Sequence, residues 1–214
     1  NENKRRTAVS KANRMETRSS PARRHPTLGT GSANWPDLPQ QPRMNAMTKK
    51  PKMLNELFHE TLKDVYFAEN KILKALPKMA KAAQSKDLKS AFNKHERETR
   101  GHVKRLNQVF KIIGKPARGK TCEAINGITS EGAGIMKGFK GMPALDAGLL
   151  AAAQSVEHYE ISRYGTLATW ARELGMDEAA NLLEETLAEE KATDKSLTSL
   201  ATSVINLDAE RLAA

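Results

Sequence analysis

Apolar residues recur at intervals of three and four along four long stretches of the chain, and few helix-breaking residues interrupt them. This spacing predicts amphipathic helices, because it places the apolar side chains on one helical face. The helices are predicted over residues 53–84, 86–113, 144–174 and 177–210. No stretch shows a sustained alternation of apolar and polar residues, so the sequence predicts an all-α fold without strands.

The predicted connections define the topology of the helices. Short turns near Ser85 and at Gly175 join the helices into two hairpins. The crossover between the hairpins, residues 114–143, is rich in glycine, and a weak helical pattern around residues 122–139 predicts a short extra helix there. Two helical hairpins joined by one long crossover have the connectivity of a ferritin-like four-helix bundle.

The chain of 214 residues has an uneven charge distribution. Residues 1–52 hold 12 Lys and Arg against 3 acids, whereas the remainder holds 23 against 22, so nearly all of the net charge of +10 belongs to the N-terminal part. Residues 1–46 are also poor in large apolar side chains, which predicts a disordered basic extension before a folded domain at 47–214. Such an extension suits weak contact with DNA or another anionic surface but does not make the bundle a nucleic-acid binder.

Several classes of protein are excluded by what the sequence lacks. The single cysteine, Cys122, excludes an intrachain disulfide framework and a zinc site with several cysteine ligands. The sequence contains no run of 18 apolar residues, so no membrane span is predicted. The first 30 residues hold no apolar signal segment. The sequence therefore predicts a cytoplasmic location.

Acidic and histidine side chains occupy positions where the helical stripes predict buried apolar residues. They are Glu69 on the first helix, Glu98 and His102 on the second, Glu157 and Glu160 on the third, and Glu190 and Asp194 on the fourth. A buried carboxylate is costly unless it is paired, protonated or bound to a metal ion. Two divalent cations would balance most of this charge, and carboxylates with a histidine suit iron or manganese, with zinc as a further candidate.

Five of these seven positions also have a simpler interpretation, whereas at least one of Glu157 and Glu160 is expected to be a ligand. Glu69, the pair Glu98 and His102, and the pair Glu190 and Asp194 would each fit a solvated helix face. His95 is expected beside the ligands or on the helix surface, and His158 is expected to be exposed. Three acids of the fourth helix are interpreted as a solvated face: Glu184, Glu185 and Glu189. Three tyrosines either border the site or pack at the core edge: Tyr66, Tyr159 and Tyr164.

Five motifs in combination resemble the YciE/YciF-type ferritin-like proteins, and the resemblance covers about residues 53–205. The motifs are Asp-Val-Tyr-Phe-Ala-Glu at 64–69, Glu-Thr-Arg-Gly-His at 98–102, Gly-Lys-Pro at 114–116, Gln-Ser-Val-Glu-His-Tyr-Glu at 154–160 and Glu-Thr-Leu-Ala-Glu-Glu-Lys at 185–191. The resemblance implies a bacterial, stress-linked, often dimeric bundle with a rubrerythrin-like dinuclear metal site. The ligands that it implies are Glu69, Glu98, His102, Glu157, Glu160, Glu190 and Asp194.

Two departures from the usual dinuclear pattern stand out. Glu98 and His102 are four residues apart rather than three, and Asp194 stands where a second histidine is usual. The leading hypothesis is a dinuclear iron or manganese protein of the stress response that handles peroxide or oxygen. The alternative is a structural or interaction protein that forms a homodimer and contacts DNA or another anionic partner through its basic tail. Iron storage ranks third.

Overall fold

The computed structural model describes residues 51–211, so the predicted disordered extension at 1–46 lies outside the described part. Residues 51–211 contain helices and no strand, which confirms the all-α prediction. The helices are α1 (Leu54–Ala82), α2 (Lys86–Ile112), α3 (Glu123–Gly138), α4 (Leu145–Glu173), α5 (Asp177–Leu200) and α6 (Asn206–Arg211). The long helices α1, α2, α4 and α5 form a four-helix bundle, and α3 is the short helix of the crossover.

Local sequence accounts for where the long helices begin and end. The hydroxyl of Ser85 accepts hydrogen bonds from the backbone N–H groups of Asp87 and Leu88, which caps the start of α2. Gly114 and Gly175 follow α2 and α4 with φ of 64° and 69°, a left-handed conformation that glycine adopts without strain. The predicted fourth helix is not uniform, because a π-helical turn, Ala201–Ile205, separates α5 from α6.

Two apolar core clusters are separated along the bundle by a polar layer. On α1 the first cluster begins at Ala68 and the second ends at Val65, so Glu69 lies at their boundary. On α5 the second cluster ends at Leu183 and the first resumes at Leu197, with Glu190 between them. Helices α2 and α4 show the same interruption, over residues 93–105 and 157–163. The fold therefore brings the polar positions of all four long helices to one level.

The short helix α3 packs against α1 and α4. Gly148 of α4 permits a close approach, because a Cβ atom there would lie 2.7 Å from Cγ2 of Ile135. Within α3, only Ile125 and Gly132 are buried, and a Cβ atom on Gly127 or Gly134 would meet nothing within 4 Å. Each such helical glycine costs about 1 kcal/mol relative to alanine, so α3 is intrinsically a weak helix.

None of the helices within 51–211 is both long enough and apolar enough to cross a membrane.

Candidate metal centre

Two groups of buried ligand-type side chains share the polar layer of the bundle. The first group consists of His95, Glu157, Glu160 and Glu190, and the second of Glu69, His102 and Glu190. Within each group, one nitrogen or oxygen atom per residue lies within 4.8 Å of the others. Glu190 belongs to both groups, so together they form one cluster of four carboxylates and two imidazoles. We call these six residues the central cluster.

The central cluster is almost completely shielded from solvent, with no member more than 4% exposed. Many of its polar atoms nevertheless make no hydrogen bond among the described residues: both carboxylate oxygens of Glu160 and Glu190, both ring nitrogens of His95, Nδ1 of His102, and Oε2 of Glu69 and Glu157. Buried polar atoms in native proteins are nearly always satisfied, and each that is not costs about 1–3 kcal/mol. So many partnerless ligand atoms at one point are the arrangement that a bound cation would explain.

Several cluster atoms lie close together without hydrogen-bond geometry. Nδ1 of His102 is 3.0 Å from Oε1 of Glu190 and 3.5 Å from Oε1 of Glu69. Nε2 of His95 is 3.2 Å from Oε1 of Glu157. The centroids of the two imidazole rings are 6.3 Å apart, and each ring belongs to a different group: His95 to the first and His102 to the second. The cluster could therefore hold two cations that share Glu190.

The electrostatics of the cluster oppose four ionised carboxylates. Burial, followed by the charges of Glu190 and Glu69, raises the pKa of Glu160 well above its usual range. Burial and the charge of Glu190 raise the pKa of Glu157 in the same way. The pKa of Glu190 falls because contact with His102 and the charge of His95 outweigh its burial. Divalent cations would relieve this repulsion directly, since four carboxylates carry −4 and two cations carry +4.

Arg105 and Glu189 hold the His102 ring in position from the outside. Arg105 donates to both carboxylate oxygens of Glu189, at 2.7 and 2.9 Å, and thereby lowers the pKa of that carboxyl group. The ionised Glu189 can only accept, so Nε2–H of His102 donates to it across 2.9 Å. Nδ1 of His102 is thus left facing the cluster, which is the orientation that a histidine ligand requires.

Tyr164 supports the cluster from inside the core. Its side chain is fully buried, and its hydroxyl donates a hydrogen bond to Oε1 of Glu69. Burial and the charge of Glu69 raise the pKa of Tyr164 well above its usual range, so the hydroxyl keeps its proton. The sequence left open whether Tyr164 borders the site or packs at the core edge. In the structure it does both.

The substitution Tyr164→Phe is expected to weaken metal binding roughly 10–100-fold, which is the usual cost of losing a partner that orients a ligand. The ring remains to fill the core, while Oε1 of Glu69 loses its hydrogen bond. Competition with a chromophoric chelator measures the affinity. Tyr159→Phe is the matched control, because the Tyr159 hydroxyl forms its hydrogen bond with Sγ of Cys122, 3.1 Å away, and not with a cluster carboxylate. Equal affinities for the two variants would contradict the role of Tyr164.

Two sequence-predicted ligands lie outside the central cluster. Glu98 pairs with Lys94 on the same helix, and one of its carboxylate oxygens is buried without a partner. Asp194 accepts a hydrogen bond from Gln154 at 3.2 Å and lies 3.2 Å from Nε2 of the exposed His158. The other five predicted ligands, Glu69, His102, Glu157, Glu160 and Glu190, all belong to the cluster.

Two residues of the candidate site differ from the sequence-based prediction. The sequence predicts His95 beside the ligands or on the helix surface, yet the residue is 4% exposed and belongs to the first group. Spacing could have indicated its place, because His95 lies two helical turns before His102 on the same apolar stripe. Glu189 was interpreted as part of a solvated face, and only the tertiary contact with His102 and Arg105 assigns it a role.

The bundle and its cluster define the class of this molecule, an all-helical protein with a buried set of carboxylates and imidazoles that could hold a metal ion. Residues 53–210 match the family described as "Domain of unknown function (DUF892)", and the chain belongs to that family. Protein YciF of Escherichia coli (strain K12) is 42% identical over 163 residues, which cover 76% of this chain and 98% of YciF. The resemblance to YciE/YciF-type proteins is therefore confirmed.

Solved structures agree with this family assignment. The E. coli stress protein YciF superposes with a TM-score of 0.70 at 42% identity, covering 73% of this chain and 99% of that one. YcfI from Rhodopseudomonas palustris, described as a candidate structural protein, gives a TM-score of 0.66 at 41% identity, covering 71% and 96%. Both names describe those proteins, and they leave the chemistry of the shared fold open.

Proposed function

We propose that this protein is a ferritin-like dinuclear metalloprotein of the stress response, with iron or manganese in the central cluster and oxygen or peroxide as its oxidant. The observation that carries the proposal is the convergence of partnerless ligand atoms from four helices at one buried level. Zinc remains a further candidate for the same donors.

The donor set supports this proposal. Four glutamates and two histidines are the set that dinuclear carboxylate bundles use. Their distribution differs here, since both histidines come from α2 and two glutamates come from α4. Hard carboxylate oxygens combined with imidazole nitrogens favour iron, manganese or zinc over metals that select thiolate ligands.

The side chains in and around the central cluster would have separate roles at such a centre. A bound iron or manganese pair would supply the redox chemistry. Glu190 belongs to both groups and would be a ligand in each, while Glu189 fixes His102 and Tyr164 fixes Glu69. The apolar clusters above and below exclude water from the layer, which strengthens every electrostatic contact within it. Electrons would come from outside, because the chain's single cysteine cannot form a rubredoxin-like centre.

Metal content per chain tests this proposal. The full chain is purified without chelators, and plasma mass spectrometry counts its metals before and after anaerobic loading with ferrous or manganous ions. We expect about two ions per chain, the number of ligand groups in the cluster. A protein that stays free of metal after loading would contradict the proposal.

The alternative, a structural or interaction protein, draws its support from the description given to YcfI. In that case the protein would act through a homodimer and through contacts of its basic tail with DNA or another anionic partner. The tail at 1–46 lies outside the described residues, and these partners stay predictions, as does the cytoplasmic location. A metal-free protein would make this alternative the leading one.

A further inference from the structure

A small cavity of about 30 Å³ adjoins the central cluster under helix α3. His95 and Glu157 form part of its wall, and each is buried with partnerless polar atoms. Apart from these two residues and Thr129, every lining side chain is apolar or glycine. The cavity therefore connects the candidate metal centre to an apolar space.

The same cavity lies next to a groove that is open to solvent. The groove, between α1 and α3, has a volume of about 620 Å³, and Lys71, Lys74 and Lys78 are among the residues along its α1 side. Three residues line both the groove and the cavity: Ala75, Thr129 and Met136. We call these three the partition, because they border both the open groove and the space beside His95 and Glu157.

The three residues of the partition present an apolar surface to the cavity, and two of them lie on the weak helix α3. The Thr129 hydroxyl donates to the backbone carbonyl of Ile125 at 2.7 Å, so its hydrogen-bonding capacity is used within α3. Thr129 and Met136 belong to α3, whose glycines and few buried residues make it easier to displace than the four long helices. Small movements of α3 would open the partition without disturbing the cluster.

We propose that this cavity is the entry site for dioxygen to the metal centre, with the partition as its gate. The inference rests on the proposed function and names the oxidant of that site. A cavity of this volume exceeds the roughly 10–15 Å³ that one water molecule needs, but a buried water needs two to four polar partners. The unpaired polar atoms of the wall belong to His95 and Glu157, which bound metal ions would use as ligands. The rest of the wall offers neither a water molecule nor an ion a free polar partner. A small, uncharged, apolar molecule fits both the volume and the wall.

Nuclear magnetic resonance under oxygen pressure tests the cavity directly, because dissolved dioxygen is paramagnetic and speeds the relaxation of nearby methyl groups. The metal-free full-length chain avoids any paramagnetic metal. We expect faster relaxation at Ile72 and Leu76, which line the cavity, than at Leu62 and Val65, which are on the same helix and equally buried in the other core cluster. Equal effects on the four residues would overturn the proposal.

Matched variants test the gate. Ala75→Leu fills the partition and is expected to abolish the extra relaxation at Ile72 and Leu76. Ala133→Leu is the control, because Ala133 lines the groove but not the cavity. Met136→Ala widens the partition and is expected to increase the relaxation at Ile72 and Leu76. The conclusion therefore does not depend on the folding of one variant. Relaxation that stays at the wild-type value in Ala75→Leu would overturn the gate.

Oxidation of the loaded protein connects the cavity to the centre. With ferrous ions bound, Ala75→Leu is expected to oxidise several-fold more slowly under oxygen than the wild type, at unchanged metal content, while Ala133→Leu keeps the wild-type rate. An unchanged rate in Ala75→Leu at full metal content would overturn the entry role alone. Failure of all variants and the wild type to bind metal would instead overturn the proposed function, and the entry role with it.

Discussion

The substitution Glu190→Gln is expected to remove both metal ions from the protein. Glu190 is the one residue common to both ligand groups, and both of its oxygens are buried without a hydrogen bond. Glutamine keeps the size of the side chain but removes the negative charge and one of the two ligand oxygens. The loss of affinity should exceed the roughly 10–100-fold that follows from removing a partner that only orients a ligand. Metal analysis after anaerobic loading measures the effect.

The control for Glu190→Gln is Asp194→Asn, one helical turn further along α5. Asp194 contacts Gln154 and His158 outside the central cluster, so this variant should keep both metal ions. Circular dichroism must show wild-type helicity for both variants, which separates a lost ligand from a lost fold. Loss of metal from Asp194→Asn alone would support the ligand set inferred from the sequence over the cluster in the structure.

The fold could be predicted because each local signal agreed with the global one. The apolar stripes, the short turns at Ser85 and Gly175 and the long crossover each pointed to two joined hairpins. The π-helical turn at Ala201–Ile205 could not be predicted, since it changes the hydrogen bonding of the backbone without interrupting the apolar pattern around it.

The candidate site could be predicted only to the level of helix faces. Spacing placed Glu98 and Asp194 on the same stripes as the cluster residues, but a stripe spans a wide arc of the helix. Side-chain direction decides the rest, and Lys94 and His158 engage the two acids outside the cluster. The sequence does not identify His95 as a ligand, because its neighbours along the chain are charged and suggest an exposed position. In the folded protein it is buried.

Removal of metal is expected to make the stability of the protein fall as the pH rises from about 7.5 to 9. In the metal-free protein, Glu157 and Glu160 have pKa values well above those of the unfolded chain, because they are buried beside other carboxylates. Contact with Glu190 and Glu69 overcomes burial and raises the pKa of His102 to about 11. His102 alone therefore gives the folded state one more proton than the unfolded state across this range.

The sign of the pH effect follows from that proton balance. The free energy of unfolding falls with rising pH wherever the folded state binds more protons, by about 1.4 kcal/mol per pH unit for each proton. His95 and His59 have lowered pKa values and act in the opposite direction. These two histidines no longer change the slope once histidine is neutral in the unfolded chain. The measurement therefore begins near pH 7.5.

Metal binding should abolish this trend, because cations displace the same protons and the loaded folded state then binds no more protons than the unfolded state. Denaturant titrations of the loaded and the chelator-treated protein at each pH would show the stability difference widening between about pH 7.5 and 9. His102→Gln is the informative control, since its side chain does not ionise and its metal-free form should depend less steeply on pH. A metal-free wild type whose stability is constant or rises over this range would contradict the assignment of protons to the cluster.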